Sequence, residues 1–519
     1  MNYVTNQAGR RIPSEINDDP VVPFMGVGKY QPDARKHAPR ISSCKDYPSD
    51  GNKLLGGLRE ALEKSGLCDG MTISTHHHFR NGDLLANQVF DIAHEMGVKG
   101  LRWFPSASFP CHAHLIPYLE DGTIQRIEGS MNGPLGRFVS EGGMKGTGVL
   151  RSHGGRYQAV QDGEVTIDIA VIGAPAADAF GNANGLYGNS ACGSLGFALA
   201  DSRYADKVII VTDNLVEFPC IPWQIQGNDV DHVVRVEKLG DPAQIVSGTT
   251  RITRSPDRLL LAELTARFCE AAGIIRDGFS FQSGAGGTSL AVGEYFRKIM
   301  KKKGIRARFA RGGSNRYLVS MLEEGLIGYL LDGQTFDLEG VRSMAENPNH
   351  VWTSPFTSYN YHGKGNFASM VDVVVLGATE VDTEFNANVV THSDGTLLHG
   401  IGGWQNCLFS RTVILPVPLF RDRIPVLRDR VTTLCGPGEL IDVIVTERGI
   451  AINPLREDLI EHTRNASLPI KSVEELKAEA DGICGVPDAP GLEERVVAAV
   501  KWVDGTVLDV VQQISIPGH

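Results

Sequence analysis

The chain has 519 residues, 42% hydrophobic and 21% charged, a balance typical of folded globular proteins and too long for one ordinary domain of roughly 100–200 residues. Fifty Lys and Arg against 61 Asp and Glu leave a formal charge of −11, and the one basic run is Lys301–Lys303, which excludes a nucleic-acid footprint. No apolar run reaches the roughly 18 residues of a membrane span, and nine scattered cysteines without a C-x-x-C pair imply neither a disulfide framework nor a zinc ribbon.

Residues 1–50 show little periodicity, with Pro20 and Pro23 following Asp18-Asp19, and read as an irregular lead-in or as an arm that wraps a partner. The N-terminus is polar, with Asn2, Asn6, Arg10 and Arg11, so a reduced cytoplasmic protein is expected. Leu54, Leu58 and Leu62 recur on one helical face that Gly66 ends, and Gly70–Ser74 reads as a strand. Helical spacing returns from Leu84 to Met96, with Gly97 as its stop. Strands alternating with helices of this length predict an α/β fold with mostly parallel sheets. Asp168–Ile172, Val208–Val211, Val371–Leu376, Val413–Val417 and Ile441–Val445 have the apolar character of buried strands.

An internal repeat organises the chain. Residues 166–185, TIDIAVIGAPAADAFGNANG, align without gaps on 370–389, MVDVVVLGATEVDTEFNANV. Asp168/Asp372, Gly173/Gly377, Asp178/Asp382, Asn182/Asn386 and Asn184/Asn388 coincide, and DGMTIS at 69–74 matches DGFSFQ at 277–282 at nearly the same offset. Two homologous α/β halves are expected, 51–245 and 246–519, with a site between them. Gly240-Asp241-Pro242 and the Ser255-Pro256-Asp257 helix start mark the join.

Several clusters could carry chemistry. Gln282-Ser283-Gly284-Ala285-Gly286-Gly287 follows a strand and opens a helix, so Gln282, Gly286 and Gly287 could offer donors to an oxyanion; a tight turn without ligand is the other reading. Gly400-Ile401-Gly402-Gly403 lets a backbone lie flat against a pyrophosphate or thioester, which makes Gly400, Gly402 and Gly403 candidate cofactor contacts, or else a β-bulge. Glu380 stands where the first copy of the repeat has Ala176, so it is either a specialised carboxylate beside Asn386 or a local substitution. His76, His77 and His78 cannot all reach one ion from one strand, because successive side chains alternate faces. No metal is therefore expected, and these His, with Arg80, His153 and Arg156, suit a polycarboxylate substrate. Ser152–Arg156 could equally be a turn between a helix and a strand.

The ordered motifs GMTISTHHHFRNGD, CHAHL, SHGGR, DIAVIGAPAADAFGNANG, CGSLG, QSGAGGTSLAV, LDGQTFD, NPNH, EVDTEFNANV, SDGTLLHGIGG and TERGIAINP resemble the citrate lyase alpha-subunit family, within the coenzyme A transferase superfamily. The resemblance runs from about Leu54 to near the C-terminus. It implies two coenzyme A transferase-like domains and exchange of acetyl for citryl on an acyl carrier protein, with release of acetate. The implied partners are the beta (lyase) and gamma (carrier) subunits, in an oligomer. The implied thiol is a phosphoribosyl-dephospho-coenzyme A group on the gamma subunit, with acetyl-coenzyme A as a surrogate, so no cofactor is expected on this chain.

Many superfamily members carry a nucleophilic Glu in the stretch that here reads Phe309-Ala310-Arg311-Gly312-Gly313-Ser314-Asn315-Arg316, with no acid. Direct attack of citrate in a ternary complex is therefore expected, with a route through Glu380 as the alternative. By position in the superfamily pattern, Asn386 and the 400–403 turn should face the thioester. An acyl-coenzyme A transferase or hydrolase for a related acid such as citramalate, and a non-catalytic scaffold, are the rival functions.

Overall fold

A computed structural model describes residues 2–30, 47–246, 250–284, 286–361 and 363–515; Cys44 and Ala285 fall outside the described residues. The first large sheet has the order Leu54–Leu55, His232–Arg235, Lys207–Thr212, Ile169–Gly173, Thr72–Thr75, Leu101–Pro105, Ile124–Ile127, and every neighbouring pair is parallel. The second has the order Gly449–Ile452, Val443–Thr446, Val413–Pro416, Val373–Val375, Ser280–Ser283, Ala307–Ser314, Ile327–Thr335, His350–Trp352. Only Gly449–Ile452 is antiparallel to its neighbour there.

The repeat seen in the sequence is thus a repeat of topology. Apolar runs such as Val208–Val211 and Val413–Leu415 are buried because both faces of a parallel sheet are covered. Ile73, Val171 and Ile209 of the first half share one continuous core with Val374, Leu415 and Trp404 of the second. A further core packs the helices Pro256–Ala271 and Gly287–Lys303 on the second sheet.

Two expectations change. Leu54 belongs to the edge strand Leu54–Leu55, and the helix begins only at Leu58, because Gly56 and Gly57 intervene. Residues 2–30 are not an irregular arm. They form the pairs Tyr3–Thr5 with Arg11–Pro13 and Glu15–Ile16 with Asp19–Pro20. They also pack on the chain's own C-terminal hairpin, where Asn6 Nδ2 donates to the Val507 and Leu508 carbonyls at 3.1 and 2.8 Å. That hairpin, Leu492–Lys501 with Val507–Ile514, returns to the first half, pairing in parallel with Gly148–Leu150.

The repeated D-x-x-x-N-A-N motif has a structural reason. Each half folds it into a small three-stranded sheet, Ala183–Asn184, Ala176–Asp178, Leu215–Val216 in the first and Ala387–Asn388, Glu380–Asp382, Leu427–Arg428 in the second. Asp178 Oδ1 accepts the backbone N–H of Phe180, Gly181 and Asn182 at 2.9–3.0 Å, and its Oδ2 accepts Asn182 Nδ2 and Cys220 N–H, both at 2.8 Å. Asp382 repeats the clamp on Glu384, Asn386 and Val431. An anionic acceptor shared by several buried N–H groups leaves all of them unpaired when it is removed. Asp178→Ala should therefore cost about 3 kcal/mol, read as a lowered midpoint in urea unfolding, with Asn182→Ala costing less.

Candidate functional site

The two halves meet where a turn of the second caps a helix of the first. Ser152 Oγ accepts Gly155 N–H at 3.0 Å and starts the helix His153–Asp162. The first N–H groups of a helix have no internal acceptor. Here His153 N–H donates to Gly402 O at 2.7 Å, and Gly154 N–H donates to Asn406 Oδ1 at 3.0 Å. The turn fits this closely: a Cβ on Gly400 would lie 2.3 Å from Ser130 Cβ, and one on Gly403 would lie 2.5 Å from Tyr359 Oη. Gly402 has φ +62°, a conformation that favours glycine.

Beside this contact lies a cavity of about 180 Å³ lined from both halves. The first half contributes His77, Arg80, Ser106, Ser130, Asn132, Arg151 and His153, and the second Gln334, Phe336, His399 and Gly400–Gly402. Among the described residues, no Asp or Glu lines it. The strand Thr72–Thr75 ends at its rim, the carboxyl end of a parallel sheet, where α/β proteins commonly bind ligand. Chain direction then decides which His enters. His77 Nδ1 meets Ser106 Oγ at 2.5 Å, and its ring stacks on His153 with centroids 5.0 Å apart.

His76 and His78 point elsewhere. His76 Nε2 lies 2.9 Å from Asp201 Oδ2, and His78 Nε2 contacts Gly173 O at 2.8 Å. Arg156 is likewise turned away from the cavity and committed. It grips Asp201 with two hydrogen bonds of 2.8 and 2.9 Å and donates to Ser74 Oγ and Phe104 O. These three side chains brace the sheet ends behind the cavity.

Arg80 stacks over Phe336 at 5.0 Å and donates to its carbonyl at 3.3 Å. Its φ of +55° is uncommon for a residue with a Cβ, and the contact across the junction holds it there. Arg151, one residue before the SHGGR motif, was not singled out in the sequence. Its guanidinium pairs with Glu164 at 2.9 Å and Glu128 at 3.6 Å, while Nε has no partner among the described residues. Asn132, Ser106, Gln334 and His399 were missed too: Gln334 and His399 lie within quoted motifs without being singled out, and Ser106 and Asn132 lie in segments without a local pattern.

The remaining candidates lie outside this lining. Gln282 Oε1 accepts from Arg311 at 2.5 Å, and its Nε2 donates to Cys407 Sγ at 3.0 Å. Gly286 precedes the helix Gly287–Lys303, and Gly287 packs on the backbone of Arg251 and Thr253. Glu380 is fully buried, 3.2 Å from Arg428 Nε, and it accepts from Asn388 Nδ2, Thr432 N–H and Thr432 Oγ1. Asn386 clamps its own turn, accepting Gly438 N–H at 2.9 Å and donating to Asp382. Among the described residues, no group of three His, Cys, Asp or Glu could hold a metal, and no helix is long and apolar enough to cross a membrane.

The chain matches the family described as "Citrate lyase, alpha subunit" over residues 51–514. It is 43% identical over 465 residues to the citrate lyase alpha chain of Escherichia coli, covering 89% of this chain and 91% of that one. The chain belongs to the citrate lyase alpha-subunit family. The Haemophilus influenzae alpha chain is 41% identical over 94% of this chain and 98% of its own. A crystal structure described as the alpha subunit of citrate lyase from Streptococcus mutans, in complex with citrate, superposes with a TM-score of 0.95 at 40% identity, covering 98% of this chain and all of that one. A malonate decarboxylase alpha subunit from Acinetobacter baumannii shares the fold alone, at a TM-score of 0.59 and 15% identity over 85% of this chain and 92% of its own. As a citrate lyase alpha chain, the protein is the acyl-carrier transferase component of the citrate lyase complex.

The electrostatics and packing around the cavity set the expected outcome for three variants. Burial holds His77 well below its usual range, pushes His153 down to about 3 with help from Arg156, and pushes His78 down to about 4 with help from His76. These rings stay neutral when folded, so their stability contribution is present above the unfolded value near 6.5 and is lost as pH falls toward those lowered values. His78→Gln should remove about 2–3 kcal/mol of the stability difference between pH 7 and pH 4.5, measured by urea unfolding. Gly400→Val should collide with Ser130 and lower transferase activity at least 100-fold with unchanged circular dichroism. Gly402→Ala, whose Cβ meets only His153 Nε2 at 3.9 Å, should cost about tenfold, through roughly 1–2 kcal/mol of backbone strain.

Proposed function

We propose that the cavity at the junction binds citrate and that the chain exchanges the acetyl group of an acyl carrier protein for citryl, releasing acetate. The observation that carries this reading is the lining itself, with two Arg and three His from both halves and no acid. Such a set suits a molecule with several carboxylates, since guanidinium–carboxylate pairs combine charge with directed donors. The Streptococcus mutans relative holds citrate and aligns with nearly all of this chain. The N–H groups of Gly400, Ile401 and Gly402 donate to no protein acceptor among the described residues, although the turn is half-buried or buried. They are donors placed for an anion that forms during reaction.

In the proposed reaction a citrate carboxylate oxygen attacks the acetyl thioester carbonyl, giving a tetrahedral oxyanion near the 400–402 turn. Breaking of the C–S bond gives an acetyl–citryl anhydride and a thiolate. The thiolate then attacks the citryl carbonyl, and acetate leaves. Each oxyanion donor contributes about 2.7–4 kcal/mol in related acyl transfers. Neutral His77 and His153 donate hydrogen bonds without competing as nucleophilic anions, while Arg80 and Arg151 hold the carboxylates.

Glu380 has no part in this route. Its four contacts, from three residues, and its full burial make it the clamp that replaces, in the second half, the Ala176 of the first. The thiol is supplied by a phosphoribosyl-dephospho-coenzyme A group on the gamma subunit, and the beta subunit cleaves the citryl product, in a soluble cytoplasmic complex.

The test is isotope exchange with acetyl-carrier protein, or acetyl-coenzyme A as surrogate, and labelled acetate. Acetate release that requires citrate, with no label exchange in its absence and no borohydride-trappable enzyme thioester, is the expected result. Exchange without citrate, with an adduct trapped on Glu380, would overturn the direct-attack route.

A further inference from the structure

The cations of the cavity explain how carboxylates are held, but they leave substrate choice open. Citrate and tricarballylate carry the same three carboxylates on the same carbon chain and differ only in the hydroxyl on the central carbon. Guanidinium and imidazole donors grip both acids alike, so selection between them needs a neutral group facing that hydroxyl.

One lining residue has this character. Asn132 precedes the helix Gly133–Ser140, the position where Asn ordinarily accepts an N–H of the first turn. Its side chain makes no such bond. Asn315, at the equivalent position of the helix Arg316–Glu323, accepts the N–H of both Tyr317 and Leu318. Pro134 lacks an N–H, which removes one of the usual capping donors for Asn132. Asn132 Oδ1 is buried without a partner, and among the described residues neither atom of the amide hydrogen-bonds to protein.

The other neutral polar groups of the lining are engaged. Ser106 Oγ serves His77, Ser130 Oγ accepts Ser108 N–H at 2.8 Å, and Gln334 acts electrostatically on His77. A buried amide oxygen without a partner costs free energy that a ligand group can return. An alcohol is both donor and acceptor, and so is a primary amide, in either orientation of its O and N.

We propose that Asn132 recognises the hydroxyl of the acid substrate and makes the transferase select hydroxylated over non-hydroxylated tricarboxylates. The inference rests on the reading that this cavity takes up citrate. The selection has a chemical purpose downstream. Cleaving the citryl chain removes the hydroxyl proton, breaks the adjacent C–C bond and turns the alcohol carbon into a ketone, while the departing carbon takes a proton. An acyl chain without the hydroxyl has no such path and would stay on the carrier thiol, so exclusion is needed before loading.

The experiment measures binding of citrate and of tricarballylate to the full-length chain by calorimetry, and acetate release from acetyl-carrier protein with each acid. The wild-type chain should prefer citrate by about 10–100-fold in both readouts. Asn132→Leu should narrow the preference to within about threefold by weakening citrate while leaving tricarballylate unchanged, which also shows that the variant is folded. Asn132→Ser, smaller and still able to hydrogen-bond, should keep part of the preference. Equal treatment of both acids by the wild type, or an equal loss for both in Asn132→Leu, would overturn the inference. Asn132-dependent citrate binding without acetate release would support it while overturning the transferase reading. Acetate release with both acids equally would do the reverse.

Discussion

The structure depends on one contact, the seating of the 400–403 turn on the N-terminus of the helix His153–Asp162. The donors at that helix start must find acceptors, and burial makes an unpaired N–H expensive. The second half supplies the acceptors, Gly402 O and Asn406 Oδ1. The same contact presses Gly400 against Ser130 and Gly403 against Tyr359, distances that no side chain could share. The cavity is therefore a by-product of domain docking. Its walls come from both halves, so the candidate site and the interdomain packing share residues.

Charge within this region is sorted by commitment. Arg156 is held by Asp201, and Arg428 by Glu380, as buried guanidinium groups ordinarily are. Arg80 and Arg151 line the cavity while anchored in protein, Arg80 by Phe336 and Arg151 by Glu164 and Glu128. Arg311 differs from all of these. It is 1% exposed and lies on Gln282, Cys407 and the Tyr359 ring, with no carboxylate in ion-pair range among the described residues. Tyr359 separates it from Gly403, so its positive field reaches the turn that carries the unpaired N–H groups.

The duplicated halves show which features of a repeat are structural. Asp178 and Asp382, Asn182 and Asn386, and the two small sheets perform identical tasks in both copies. Coincidence between copies marked the backbone clamps and not the chemistry. The site arises where the halves differ: His77 and His153 come from the first, the glycine turn and Gln334 from the second. Even within the repeat, Gly181 has φ +103° where its counterpart Phe385 takes φ +66°, so the second copy bears a backbone strain that the first avoids.

The sequence by itself determined the α/β class, the duplication, most buried strands and the family, because apolar periodicity, turn residues and ordered motifs are local properties of the chain. Strand ends shifted by a residue or two, and Leu54 was misplaced because a leucine repeat at helical spacing runs across Gly56-Gly57. Residues 2–30 look irregular in sequence because they pack on a hairpin about five hundred residues away, held there in part by Asn6. Only tertiary structure decided which polar side chains meet. His76, His77 and His78 are one motif in sequence, yet the turn after Thr75 sends one to the cavity and two to Asp201 and Gly173. Arg156 looked like a substrate ligand until its buried acid appeared, and Asn132 looked ordinary until its unpaired oxygen did. A residue type states what a group can bind; whether it is free to bind depends on partners distant in sequence, which folding alone brings together.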